Sequence, residues 1–206
     1  MSDGSLVIGD DGRPRCGWGA SSDEYAEYHD SEWGRPTVDE RTLFEGICLE
    51  GFQSGLSWLT ILRKRENFRS AFADFDAATV ADFTEDDVER LLDDAGIIRH
   101  RGKIQATINN ARRLVEMHQT ETSLGALIWS FEPDHWPAPA SLSDVAAVTP
   151  QSTALAKQLK ALGFRFVGPT TAYAAMQAMG IVNDHLDGCW VREACLADRS
   201  SVTVPS

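Results

Sequence analysis

Apolar residues in this chain recur almost everywhere at intervals of three and four, and almost nowhere at intervals of two. That spacing confines the chain to helices packed on one another, because a half-buried strand needs alternation. Only short Val/Ile traces near the two ends break the pattern. Thr37-Val-Asp-Glu40 has the capping-box form and opens a helix running to about Ser54. Ser57 can cap the next, whose stripe is Trp58, Ile61, Leu62, Phe68 and Phe72. Thr84 starts another, with Val88, Leu91 and Leu92 inward and a stop at Gly96. A long helix follows Gly102, and a shorter one spans about 124–131. Prolines between Glu132 and Pro139 make a loop. Two further helices run from about Ser152 to Leu162 and from about Pro169 to Gly180. The expected fold is all-α and compact. A single domain over 14–195 would be flanked by a loose leader at 1–13 and a flexible tail at 196–206.

The chain has 206 residues, enough for one substantial core. No apolar run approaches the roughly 20 residues of a membrane span. The start lacks the basic segment and long apolar stretch of a secretory signal. A soluble cytoplasmic protein is therefore expected. Without a signal, the four cysteines do not read as a disulfide framework, and Cys48 reads as a small core residue. The net charge of −12 argues against general affinity for nucleic acid. The charge is unevenly placed, however. Residues 74–94 are strongly acidic, whereas 99–113 carry Arg99, Arg101, Lys103, Arg112 and Arg113 and no acid. Such a basic face can either grip phosphates or simply solvate a helix.

One carboxylate stands out of pattern. Leu43, Ile47 and Glu50 share one helix face, so Glu50 falls in the apolar stripe. A buried carboxylate is costly unless it is paired, hydrogen-bonded or used. Trp18, Tyr28, Trp33 and Trp58 lie nearby in sequence, and a lone acid among aromatics suits a flat, nitrogen-rich ring. Alternatively, Glu50 caps a neighbouring helix or pairs with a core arginine.

Two other patterns carry chemistry. Cys16 and His29 lie near the start; His185 and Cys189, an i, i+4 pair, lie near the end. Two thiolates and two imidazoles make a closed tetrahedral set for a structural zinc ion. The other reading is two buried thiols and two surface histidines. In the stretch 159–173, Gly168, Pro169 and Thr170 place free backbone N–H groups at a helix start, which suits a phosphate oxygen. An ordinary helix–helix corner would look the same.

Several stretches together resemble one family in colinear order over residues 14–190. They are Arg-Cys-Gly-Trp (15–18), Tyr-His-Asp-Ser-Glu-Trp-Gly (28–34), Leu-Phe-Glu-Gly-Ile-Cys-Leu-Glu-Gly (43–51) and Gly-Leu-Ser-Trp (55–58). Asp-Ala-Gly-Ile-Ile-Arg-His-Arg-Gly-Lys-Ile-Gln-Ala (94–106), Gly-Phe-Arg-Phe-Val-Gly-Pro-Thr (163–170) and Val-Asn-Asp-His-Leu-Asp-Gly-Cys (182–189) complete the set. The chain thus resembles the bacterial 3-methyladenine DNA glycosylase I family, within the helix-hairpin-helix glycosylase superfamily.

That resemblance implies a monofunctional base-excision repair enzyme. It would extrude the alkylated nucleotide from double-stranded DNA, hydrolyse its N-glycosidic bond and leave an abasic site. By the same resemblance, Cys16, His29, His185 and Cys189 hold one structural Zn²⁺ per chain, clipping the ends together. Trp18, Tyr28, Glu50 and Trp58 form the base pocket, with Glu50 the candidate catalytic residue. Gly55 and Leu56 plug the gap left by the base. Gly168, Pro169 and Thr170 anchor the DNA backbone. A monomer with no protein partner and no membrane contact is expected.

The sequence departs from the wider superfamily in three places. Asn183 stands where many relatives have a catalytic aspartate, no nucleophilic lysine follows the hairpin, and Phe166 replaces the first glycine of the hairpin's Gly-x-Gly. Asp184 is a candidate orienting partner for His185. Two rivals remain at this level: a non-catalytic, zinc-clipped DNA-damage binder, and a zinc hydrolase, which would need an open coordination position.

Overall fold

The computed structural model describes residues 5–120 and 122–205. Among these, eleven α-helices and one two-stranded ribbon form the fold. The helices are α1 (Asp23–Ser31), α2 (Glu40–Gln53), α3 (Trp58–Leu62), α4 (Arg65–Ala71), α5 (Ala77–Ala81) and α6 (Glu85–Asp93). They continue as α7 (Arg101–His118), α8 (Leu124–Trp129), α9 (Pro150–Ala161), α10 (Pro169–Ala178) and α11 (Arg192–Ser201).

Several boundaries differ from the sequence reading. The N-cap of α2 is Asp39, whose Oδ1 accepts the Thr42 N–H at 2.8 Å, while Thr37 only steadies the Asp39 N–H. A carboxylate adds a charge–dipole attraction that a hydroxyl lacks. Ser57 caps α3 as expected, but the helix stops at Leu62 and restarts as α4. The chain is not purely helical. Strand β1 (Leu6–Ile8) pairs antiparallel with β2 (Pro14–Cys16), Leu6 opposite Cys16. The expected loose leader therefore contains a strand; its residues 1–4 lie outside the described residues. The expected tail begins within a helix. Its boundary at 195 falls inside α11, and Val204 packs against the core beyond it; residue 206 lies outside the described residues.

Helix α2 is the central element. It packs against α10, α3, α8 and α7 and buries Leu43, Phe44, Ile47, Leu49 and Phe52. Phe68, Phe72 and Phe75 extend that core, and each such ring contributes roughly 1.5–3 kcal/mol by leaving water. A second, smaller cluster joins the chain ends: Cys16, Leu186, Cys189, Val191 and Cys195. Gly180 fixes where these two parts meet. It sits at φ +71°, and a Cβ there would lie 2.5 Å from the Pro36 nitrogen. The end of α10 thus presses onto residues 34–37, where Thr37 N–H donates to the Met179 carbonyl at 3.2 Å.

Candidate active site

A cavity of about 350 Å³ opens where α1, the middle and end of α2, α3 and the last turns of α10 converge. Trp18, Tyr28, Glu50 and Trp58 all line it, as the sequence suggested. The Tyr28 and Trp58 ring centroids are 5.5 Å apart with a 42° tilt. Trp18 stands edge-on to Trp33 at 4.9 Å and to Tyr25 at 5.6 Å. These contacts hold the rings as fixed walls and leave space between them.

Glu50 is 5% exposed and hydrogen-bonds to no described residue. It caps no helix and pairs with no arginine, so the purely structural reading of Glu50 fails. Burial alone pushes its pKa up to about 8. The Tyr28 hydroxyl is driven well above its ordinary value by burial and then by the Glu50 charge, so it stays protonated. The Trp58 indole Nε1 is buried without a partner. An unpartnered acid and an unpartnered donor beside one cavity are groups positioned for something that enters it.

Sequence reasoning missed seven of the twelve lining residues. Tyr25, Gln53, Leu142, Val145, Ala174, Gln177 and Asp184 also face the cavity. The Asp184 carboxylate makes no hydrogen bond to the His185 ring, which corrects the orienting role suggested for it. Its Oδ1 accepts from Trp136 Nε1 at 2.7 Å, and its Oδ2 accepts from Gln177 Nε2 at 2.7 Å and from the Tyr173 hydroxyl. Those donors come from two places, α10 and the loop after α8, which the fold brings together. Asn183 turns away instead. Its Nδ2 donates to the Arg192 carbonyl at 3.1 Å, and it does not line the cavity.

Beside the cavity mouth, α2 ends in a tight turn. Gly55 adopts φ +83°, which favours glycine, and Leu56 projects at 39% exposure. The loop between α9 and α10 packs near α2, since a Cβ on Gly51 would lie 3.5 Å from Phe166 Cβ. Two asparagines of α7 hold that loop. Asn110 bonds both the N–H and the carbonyl of Arg165, at 2.7 and 3.0 Å, and Asn109 Nδ2 donates to the Gly163 carbonyl at 2.8 Å. Phe166 sits at φ +56°, in the left-handed region that favours glycine. Gly168 is the N-cap of α10, and no side chain caps that terminus. The first-turn amides of Pro169–Ala178 therefore lack an internal acceptor.

The four predicted metal ligands converge. Cys16, His29, His185 and Cys189 are buried, and their ligand atoms all lie within 4.8 Å of one another. A zinc tetrahedron sets nitrogens about 3.3 Å apart and nitrogen and sulfur about 3.6 Å apart. Here His29 Nε2 lies 3.2 Å from His185 Nδ1, and Cys189 Sγ lies 3.5 and 3.6 Å from those two nitrogens. The far side of each ring is held as well. His29 Nδ1 meets Asp30 Oδ1 at 2.8 Å, and His185 Nε2 meets the Trp33 carbonyl at 3.0 Å. Such outer partners fix ligand orientation in metal sites. Within the pair of thiols, the hydrogen bond from Cys16, then those from His185 and His29, hold Cys189 well below the ordinary thiol range. The donor set fits a four-coordinate zinc ion with no open position. These imidazoles back the cavity wall: Trp18 packs on His29 at 5.2 Å and Trp33 on His185 at 4.7 Å, and both indoles line the cavity.

Comparison with known proteins identifies a family. The methyladenine glycosylase family profile matches residues 18–193. DNA-3-methyladenine glycosylase 1 of Escherichia coli (strain K12) is 53% identical over 178 residues, covering 85% of this chain and 95% of that protein. A crystal structure of 3-methyladenine DNA glycosylase I superposes with a TM-score of 0.83 at 53% identity, over 85% of this chain and 98% of that one. A variant of 3-methyladenine DNA glycosylase I in complex with 3-methyladenine matches with a TM-score of 0.82 at 35% identity, over 86% of this chain and 97% of that one. With a family profile spanning most of its length and a pocket built of the residues its motifs supply, this chain belongs to the methyladenine glycosylase family.

Proposed function

We propose that this chain excises 3-methyladenine from alkylated double-stranded DNA, hydrolysing the N-glycosidic bond of an extruded nucleotide and leaving an abasic site. The observation that carries the reading is Glu50, buried and unpartnered among aromatic rings.

While still attached to its sugar, 3-methyladenine is cationic. Faces of Tyr28 and Trp58 attract a cation by about 0.5–2 kcal/mol. Glu50, protonated in the empty pocket at neutral pH, gives up its proton when a cation enters, because the new charge favours the carboxylate. The pocket thus presents a counter-charge only when the right ring is inside. An uncharged purine leaves Glu50 neutral and gains neither contribution. When the C1′–N9 bond breaks, its electron pair goes to the purine and cancels the positive charge. A water oxygen then bonds to C1′ and releases one proton to solvent. The leaving base needs no proton from the protein, so the absence of an acid at Asn183 is no obstacle.

Leu56, presented by Gly55, fills the stack behind the extruded base, which offsets a flipping cost of a few kcal/mol. Gly168, Pro169 and Thr170 receive a phosphate at the start of α10, as the hairpin of a helix-hairpin-helix motif. Cys16, His29, His185 and Cys189 hold one Zn²⁺, which supplies structure and no chemical step. The protein acts on DNA as a monomer in the cytoplasm, with no protein partner.

Base release from methylated duplex DNA, resolved by chromatography, tests this. Free 3-methyladenine with 7-methylguanine retained is expected. Tight binding of damaged DNA without base release, by folded protein, would instead make the chain a damage binder.

A further inference from the structure

Lys103 is a buried lysine for which the chemistry above has no use. It is 7% exposed and lies in the first turn of α7. Its Nζ donates to the Phe52 carbonyl at 2.8 Å and to the Ser54 carbonyl at 2.7 Å. Those are carbonyls at the C-terminal end of α2, which a helix leaves without internal partners. A cation there also meets the negative end of the helix dipole.

The lysine is itself held in place. Its backbone N–H donates to His100 Nδ1 at 3.2 Å, and Thr107 Oγ1 donates to its carbonyl at 3.2 Å. Burial lowers its pKa, a cost that the two backbone acceptors offset.

What Lys103 grips is the turn that carries Leu56. Residues 54–57 are exposed, and a Cβ on Gly55 would meet nothing within 4 Å. One backbone bond closes the turn, from Leu56 N–H to the Gln53 carbonyl at 2.7 Å. On the far side Ser57 is anchored to Thr60 as the cap of α3. On the near side the anchor is Lys103. A side chain that displaces a base works against stacking, so its backbone must not yield.

We propose that Lys103 is a positioning residue for the Leu56 wedge, its ammonium locking the end of α2 so that the Gly55–Leu56 turn stands rigid against the DNA stack. This rests on the reading of Leu56 as the wedge. Lys103 does not line the base cavity, so its effect belongs to flipping and not to recognition of the free base.

The test compares wild type, Lys103→Met, Leu56→Ala and the double variant. Two quantities are read: single-turnover excision of 3-methyladenine from duplex DNA, and affinity for free 3-methyladenine by tryptophan quenching. Lys103→Met should slow excision about tenfold or more while leaving free-base affinity within about twofold. The double variant should be no slower than Leu56→Ala. Wild-type excision by Lys103→Met, a parallel loss of free-base affinity, or multiplying effects in the double variant would each overturn the proposal. Wild-type excision by Leu56→Ala would instead sink the wedge reading itself. Should Lys103→Met not fold, Lys103→Arg keeps the charge but displaces the donors. The same split is expected of it, and wild-type excision would overturn the proposal.

Discussion

Replacing Glu50 by glutamine should make the protein's stability less dependent on pH, in a direction and amount that the structure sets. The carboxyl titrates near 4.5 in an unfolded chain and at about 8 in the folded protein. Between those values the native state holds a proton that the unfolded state has lost. Stability from this group is therefore complete below about pH 4.5 and is lost as pH rises through 8. At 1.36 kcal/mol per pH unit, the full displacement amounts to about 4–5 kcal/mol. About 3 kcal/mol of it falls between pH 5.5 and 8. Glutamine has the same shape and no proton to lose. The stability difference between Glu50→Gln and wild type should thus move by about 3 kcal/mol in favour of glutamine over that interval. Every other titrating group is common to both proteins and cancels. Urea unfolding at half-unit steps of pH measures the difference directly. A difference that stays flat from pH 5.5 to 8 would refute the claim that Glu50 is buried without a partner. At the same time Glu50→Gln should slow excision of cationic 3-methyladenine from duplex DNA, so gain in stability and loss of function would coincide in one residue.

Other consequences can be measured alongside. Cys189→Ser should abolish zinc in metal analysis and lower the melting temperature by about 10 °C or more, since a structural zinc contributes several kcal/mol to folding; an unchanged melting curve would remove the metal assignment. Gly180→Ala should cost about 2–4 kcal/mol in denaturant unfolding, because its φ of +71° and the Pro36 nitrogen 2.5 Å from a new Cβ allow no easy adjustment. Trp58→Ala should weaken free 3-methyladenine binding by about tenfold or more in calorimetry through loss of ring stacking, while leaving the fold intact, as the residue is only half-buried; unchanged affinity would take Trp58 out of the pocket.

Much of this molecule could be read from its residues. Glu50 breaks the period of an otherwise apolar face, and that misfit points to a residue that lines the cavity. The caps Ser57 and Thr84 and the proline at 169 are local signals, so the helices they open were legible, whereas Pro150 starts α9 two residues before the expected Ser152. The break between α3 and α4 was not, because Trp58, Ile61 and Phe68 keep helical spacing across it. The ribbon was hidden because three-residue strands are too short for alternation to register. Asp184 was assigned the wrong neighbour for a different reason. Its donors Trp136, Tyr173 and Gln177 are chosen by how α10 and the loop after α8 pack, which spacing does not encode. The four metal ligands became persuasive only through the motifs around them, since Cys16 and His185 lie 169 residues apart.

The cavity is walled by the first and last parts of the described chain: Trp18, Tyr28 and Trp33 on one side, Gln177 and Asp184 on the other, stitched through the cysteines and histidines next to them. During synthesis the ribosome must therefore release Cys189 before a recognition surface exists at all. A chain halted by a premature stop before that point has a hydrophobic centre but no lesion reader.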